Sequence, residues 1–190
     1  MRIIDTEIED LVLMQPTVFT DERGYFMETY NKEALRKCGI KEDFVQDNES
    51  MSARGVIRGI HFQKNPYAQG KLVRVTKGAV IDIAVDLRSG SPTFGKYVNV
   101  ELTSENKQMF WIPAGFGHAF VALEDGTIFQ YKCTKPYNKA SEGTIKWNDP
   151  FIHIDWENIL RGKLMTNEFI VSEKDNAAPY LKDIQTPFKY

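Results

Sequence analysis

From Ile81 the chain reads IDIAVDL, with Ile81, Ile83, Val85 and Leu87 alternating against Asp82, Ala84 and Asp86. The same period of two returns in YVNVEL from Tyr97 and IFQYKC from Ile128. Successive side chains of a strand point to opposite faces, so the pattern predicts half-buried antiparallel strands. Turn clusters cut these runs at short intervals: RSGSPTFG from Arg88, TSEN from Thr103, LEDGT from Leu123 and KPYNKASEG from Lys135. Many short strands without long helices between them predict an all-β sandwich or barrel. Helix is confined to pieces such as NKEALRKCG, where Asn31 is placed to cap, Leu35 and Cys38 share a face, and Gly39 stands just past the end. Such sheets need their edges covered, by closure of the barrel or by a partner chain.

With 190 residues, 42% of them hydrophobic, the chain can bury one sizeable core, and we expect a single domain over residues 1–190. Its net charge of -2 carries no footprint for nucleic acid or an anionic membrane. The N-terminal MRIIDTEIEDLVLMQ is broken by charge every few residues, which predicts neither an export signal nor a membrane span. Cys38 and Cys133 fit neither a disulfide framework nor a zinc cluster. A cytoplasmic home would keep both reduced, as small buried hydrophobes.

In IFQYKC, Tyr131 shares a face with Phe129 and Cys133 and should point inward. An inward tyrosine is usually a core residue whose hydroxyl finds one partner. In VIRGIHFQ, Arg58 and His61 have opposite parity, but Gly59 between them reads as a bulge that would turn both to one side. Gly24 similarly separates Arg23 from the face of Phe26 and Glu28, so two arginines could enter one pocket beside glycine kinks; the commoner fate of an arginine is solvation. Pro113, Gly115 and His118 form a Pro-x-Gly-x-x-His turn that resembles the second half of cupins. A metal-binding cupin would also need a His-x-His, and here His61 is followed by Phe62 and Gln63, which leaves too few nitrogen ligands for zinc or iron. We therefore expect no metal. His153, flanked by isoleucines, reads as structural.

TDERGYFMET, QDNESMS, GVIRGIHFQ, AQGKLVRVTKGAVIDIAVDLRSGSPTFGKY, FWIPAGFGHAF, YKCTKPY, SEGTIKWNDP and SEKDNAAP stand in the order and spacing of the dTDP-4-dehydrorhamnose 3,5-epimerases, and the resemblance covers nearly the whole chain. It implies a cupin-type jelly roll, a homodimer with strands crossing between subunits, no cofactor, and a dTDP-4-keto-6-deoxyhexose substrate. It also implies catalytic roles: His61 as base, Asp175 as its partner, Lys71 at the enolate oxygen, and Tyr131 as acid on the opposite face. Without the resemblance, Ser172 and Asp175 read equally well as a helix-start capping box. Arg23 and Arg58 match positions that engage the diphosphate, and Phe26, Glu28, Gln46, Asn48, His118, Glu142 and Lys174 match other substrate contacts. Two features depart from the pattern: GHAF replaces Gly-His-Gly-Phe, and the stretch from Asp155 to Asp175 is longer than usual. A relative that inverts only C3 or C5, or a carbohydrate-binding cupin without catalysis, are the alternatives. The latter has no chemical need for base, acid and oxyanion donor together.

Overall fold

A computed structural model describes residues 1–164 and 169–190. Its architecture is all-β, as the alternation predicts, and is the jelly roll that the family resemblance implies, two sheets laid face to face. The first runs from edge to edge through β1 (Arg2–Ile4), β2 (Val12–Gln15), β11 (Met109–Ile112), β7 (Lys71–Lys77), β13 (Thr127–Cys133) and β5 (Gln46–Ser52). The second runs through β10 (Tyr97–Thr103), β8 (Ala79–Asp86), β12 (Phe116–Ala122), β6 (Val56–Gln63) and β14 (Glu142–Thr144), with β15 (Ile170–Val171) parallel to the start of β6. Two small ribbons stand apart, β3 (Val18–Asp21) with β4 (Gly24–Met27), and β9 (Arg88–Ser89) with β16 (Phe188–Lys189).

Three apolar layers hold the sheets. Between them lie Val73, Val75, Val80, Ala84, Phe110, Phe116, Phe120 and Phe129, the filling of the barrel. Outside the first sheet, Met14, Leu72, Met109 and Trp111 are covered by Leu35 and Cys38 at the helix α1 (Lys32–Lys37) and by Ile40. Asn31 caps that helix by accepting from the Ala34 amide at 3.1 Å, and Gly39 takes φ +86° just beyond it. Outside the second sheet, Ile57, Ile60, Ile81, Ile83 and Val85 are covered by the C-terminal stretch, through Ile152, Trp156 at the start of α2 (Trp156–Ile159), Leu160, Leu181 and Phe188.

That third layer corrects the half-buried reading of IDIAVDL. Every residue of β8 is buried, because the C-terminal stretch closes over the isoleucine face while Val80, Asp82, Ala84 and Asp86 turn into the barrel. His153 is exposed, with φ +50°, between the buried Ile152 and Ile154.

A carboxylate can lie inside a barrel only if donors replace its water. Asp86 has five. It accepts from the amide, Nε and Nη2 of Arg88 at 2.9, 3.0 and 2.8 Å, from Ser91 Oγ at 2.6 Å and from Thr93 Oγ1 at 2.7 Å. Burial alone would push its pKa up; these donors outweigh it and bring the value down from 3.8 to about 2. Because the folded value lies below the unfolded one, the resulting stability is complete above 3.8 and drains away as pH falls toward 2. Asp86→Asn should therefore cost about 2 to 4 kcal/mol near neutrality. Urea titrations at pH 7, 4, 3 and 2 should show a shallower acid decline than in the parent, and an unchanged decline would mean that other carboxylates carry it.

Candidate active site

The site is assembled on the inner face of the second sheet by one irregularity. Across β6 and β12, His61 stands opposite His118 and Arg58 opposite Phe120, so β6 uses three steps where β12 uses two. The extra residue is at Gly59–Ile60. Ile57, Ile60 and Phe62 all face the outer apolar layer, which leaves Arg58 and His61 together on the other side. The slip requires glycine: φ at Gly59 is +126°, and a Cβ there would come within 2.5 Å of Ala119 Cβ and 2.6 Å of the His118 carbonyl.

His61 Nε2 lies 2.6 Å from Asp175 Oδ1, and the other carboxylate oxygen faces the Gly59 amide at 3.4 Å. Asp175 is carried by α3 (Glu173–Asn176), whose cap is Ser172, accepting from the Asp175 amide at 3.1 Å. Of the capping box only the serine half forms: the aspartate's amide donates to Ser172, while its carboxylate goes to His61 and the Gly59 amide and, among the described residues, not back to the Ser172 amide. Burial pushes the Asp175 pKa up, but the His61 bond and charge, the Gly59 amide and Ser172 together prevail and hold it below the ordinary carboxylate range. The bulge glycine thus both turns His61 and helps anchor its partner. Residues 165–168 of the long approach to Asp175 lie outside the described residues.

The other candidates line the same interior. Lys71 opens β7 with its Nζ 5.7 Å from the centroid of the Tyr131 ring on β13. It keeps part of its surface, yet the protein packed around it lowers its pKa, against the pull of nearby Cys133, Asp82 and Glu142. Tyr131 is partly buried beside Phe129, and that burial raises its pKa, with Cys133 adding to the rise and Arg58 opposing it. Its hydroxyl has no hydrogen-bond partner among the described residues, unlike a tyrosine that serves only the core. Gln46 and Asn48 sit opposite Cys133 and Tyr131 on β5; Gln46 Nε2 donates to Asn48 Oδ1 at 2.9 Å and Asn48 Nδ2 to Cys133 Sγ at 3.5 Å. Arg58 ties the two sheets, donating to Ser52 Oγ and the Met51 carbonyl, each at 3.1 Å. Lys174 and Glu142 pair at the rim, where Tyr137 OH stands 3.4 Å from Glu142.

His118 Nε2 lies 2.8 Å from Asp82 Oδ2, and its ring stacks on Phe129. Burial lowers its pKa more than Asp82 raises it, so the ring is kept neutral and donates its Nε2 proton to the carboxylate. The other Asp82 oxygen is buried without a hydrogen-bond partner among the described residues. The sequence reading missed Asp82, since alternation could not say which face of β8 looks inward.

Arg23, Phe26 and Glu28 are not brought to this cluster. Arg23 lies at the turn of the β3–β4 ribbon and pairs with Asp21, Phe26 is exposed, and Glu28 accepts from Asn31 Nδ2 at 3.0 Å. Two arginines therefore do not share a pocket within one chain, because this ribbon pairs only with itself.

A family model described as dTDP-4-dehydrorhamnose 3,5-epimerase matches residues 5–183. A dTDP-4-dehydrorhamnose 3,5-epimerase from Methanothermobacter thermautotrophicus is 49% identical over 174 residues, 92% of this chain and 91% of that protein. The crystal structure of dTDP-6-deoxy-D-glucose-3,5-epimerase from Legionella pneumophila in complex with dTDP-4-keto-L-rhamnose is similar at a TM-score of 0.92 and 43% identity, covering 100% and 98% of the two chains. A 3'-monoepimerase from Streptomyces bikiniensis in complex with dTDP-quinovose is also similar, at 0.84 and 32% identity, with 93% and 86% covered.

Gly59→Ala should destabilise the fold by roughly 2 to 5 kcal/mol, the sum of an unfavourable φ and a backbone clash. Chemical denaturation measures it, and a variant of parental stability would mean that β6 and β12 pair without the slip described here.

Proposed function

The chain belongs to the dTDP-4-dehydrorhamnose 3,5-epimerase family, and from that premise we propose that it inverts C3 and C5 of dTDP-4-keto-6-deoxy-D-glucose, giving dTDP-4-keto-L-rhamnose on the route to dTDP-L-rhamnose. The observation that carries the proposal is the 2.6 Å contact between His61 and a buried Asp175.

The substrate's C4 carbonyl acidifies the hydrogens on both C3 and C5. Epimerisation removes a proton from one face of such a carbon and returns one to the other. His61 is the base, its tautomer and orientation fixed by Asp175. Lys71 stabilises the enolate oxygen, a role worth about 3 to 4 kcal/mol when the donor is held in place beforehand. Tyr131 supplies the proton on the far face, its hydroxyl kept protonated by the burial that raises its pKa. Atoms balance without an external oxidant or metal: each C–H broken at His61 is matched by one formed from Tyr131, and solvent resets both groups.

Arg58 provides a guanidinium fork for diphosphate oxygens. Gln46, Asn48, His118, Glu142 and Lys174 are the further contacts of this chain. Arg23, Phe26 and Glu28 serve the site of a second copy in a homodimer. Phe19, Tyr25 and Phe26 stand exposed on the ribbon, and Val45 and Met51 are exposed at β5, an open sheet edge. Covering these surfaces with another subunit removes both liabilities. The enzyme works in the cytoplasm, where its free, buried Cys38 and Cys133 stay reduced. Among the described residues, no helix is long and apolar enough to cross a membrane.

Sedimentation equilibrium should give a dimer mass at micromolar concentration; a monomer at every concentration would contradict the shared site. The division of labour has its own test. His61→Asn should abolish both solvent-hydrogen exchange and product. Tyr131→Phe keeps the ring but loses the acid, so in deuterated water it should place deuterium in recovered starting sugar while C5-inverted product falls. Full C5 inversion by Tyr131→Phe would remove the tyrosine from the mechanism. Product analysis by NMR also separates inversion at both carbons from inversion at one.

A further inference from the structure

Gln63 occupies the place where a metal-binding His-x-His would have its second histidine, two residues after the base on the same strand face. Its side chain is buried, and its amide is fully engaged. Nε2 donates to the Tyr67 carbonyl at 2.8 Å and to the Pro136 carbonyl at 3.2 Å, and Oε1 accepts from the Asn138 amide at 2.7 Å. These partners belong to two different connections. Tyr67 ends the turn that follows β6, closed by its own amide on the Lys64 carbonyl at 3.0 Å. Pro136 and Asn138 bracket Tyr137 in the segment that leaves β13.

Tyr137 reaches two of the proposed substrate contacts. Its amide donates to Gln46 Oε1 at 2.8 Å and its hydroxyl stands 3.4 Å from Glu142 Oε2, while its ring remains exposed. Glu142 is also the direct register partner of Gln63 across β14 and β6. One buried amide thus ties Pro136 and Asn138, on either side of Tyr137, to the strand that carries His61, while Gly70 and Gln69 hold Thr134 and Lys135 before them. Few other side chains could do so. A neutral histidine offers one donor and one acceptor, a glutamate would set negative charge against two carbonyls, and an asparagine is one methylene short.

We propose that Gln63 is a positioning residue for substrate affinity: it holds Pro136 to Asn138 so that Tyr137, Gln46 and Glu142 meet the bound nucleotide sugar together, and it takes no part in proton transfer. This rests on the function proposed above. Removing the amide leaves two carbonyls and one N–H unpaired in a buried place, and the segment should relax outward to find water.

The test compares Gln63→Met, close in volume and without hydrogen-bonding groups, with the parent. dTDP affinity is read by titration calorimetry, and kcat and KM by deuterium wash-in over a range of dTDP-4-keto-6-deoxyglucose concentrations up to saturation. Affinity should weaken about tenfold with a matching rise in KM, for a loss of about 1.4 kcal/mol, while kcat stays within about twofold. Tyr137→Ala should also cost less in the Gln63→Met background than in the parent, since the two act through one segment. Additive costs, unchanged affinity, or a fall in kcat at unchanged affinity would each overturn the positioning role. Thermal melts check that the variants fold, and Gln63→Asn, which keeps the amide but shortens its reach, replaces the methionine variant if that one does not. A parent protein that neither binds dTDP nor exchanges deuterium would sink the functional reading itself, and this role with it. A competent parent matched in every respect by Gln63→Met sinks the role of Gln63 alone.

Discussion

Asp175 reaches His61 across 114 residues of sequence, and much of the molecule is arranged so that this contact can form. The histidine must leave the outer face of its sheet, which the Gly59 bulge accomplishes. The aspartate must arrive from the C-terminal stretch, which first covers the second sheet with Ile152, Trp156 and Leu160 and then runs along the start of β6 as β15 before turning into α3. Hydrophobic burial therefore places the carboxylate: the apolar layer that stabilises the sheet also delivers Asp175 to its inner side. A carboxylate so buried would be costly alone, and the imidazole, the Gly59 amide and the capping serine offset that cost.

The second sheet is unusual in which of its faces is polar. Its outer face is the drier one, while the inner face carries Asp82, His118, His61 and Arg58 among the phenylalanines of the barrel. Two His–Asp pairs stand on this face, with their histidines opposite each other on neighbouring strands. They differ in surroundings. His61 is partly open to solvent, and its carboxylate accepts a second bond; His118 is buried, and the second oxygen of Asp82 has no partner among the described residues. The partly open pair suits proton exchange with a substrate. The closed pair suits a fixed, neutral contact whose proton stays on the side of Asp82.

The β3–β4 ribbon is the part that a single chain does not explain. It carries Arg23, Phe26 and Glu28, yet it lies apart from both sheets, held by contacts such as the Lys107 ammonium over the Tyr25 ring at 4.1 Å. Large aromatic side chains left in water are ordinarily unfavourable. In the proposed homodimer, a second subunit gives them a surface to cover and gives the site its remaining contacts.

Period-two alternation and turn chemistry, both local, determined the all-β class, the Asn31-capped helix and the inward face of Tyr131, while the jelly roll itself was implied by the resemblance. The bulge was legible too, because a glycine between Arg58 and His61 has few other reasons to interrupt a strand. Motif order determined the family. Alternation states only that two faces differ, so it could not say that the isoleucines of β8 look outward beneath a C-terminal cover and that Asp82 looks in toward His118. Nor could it say that Gln63 is spent on two loops, or that Arg23 stays at the tip of a ribbon while Arg58 bridges to Ser52 and Met51 of the other sheet. Those assignments follow from which distant segment buries which face, a choice made by packing across the whole chain rather than by the neighbours of any one residue.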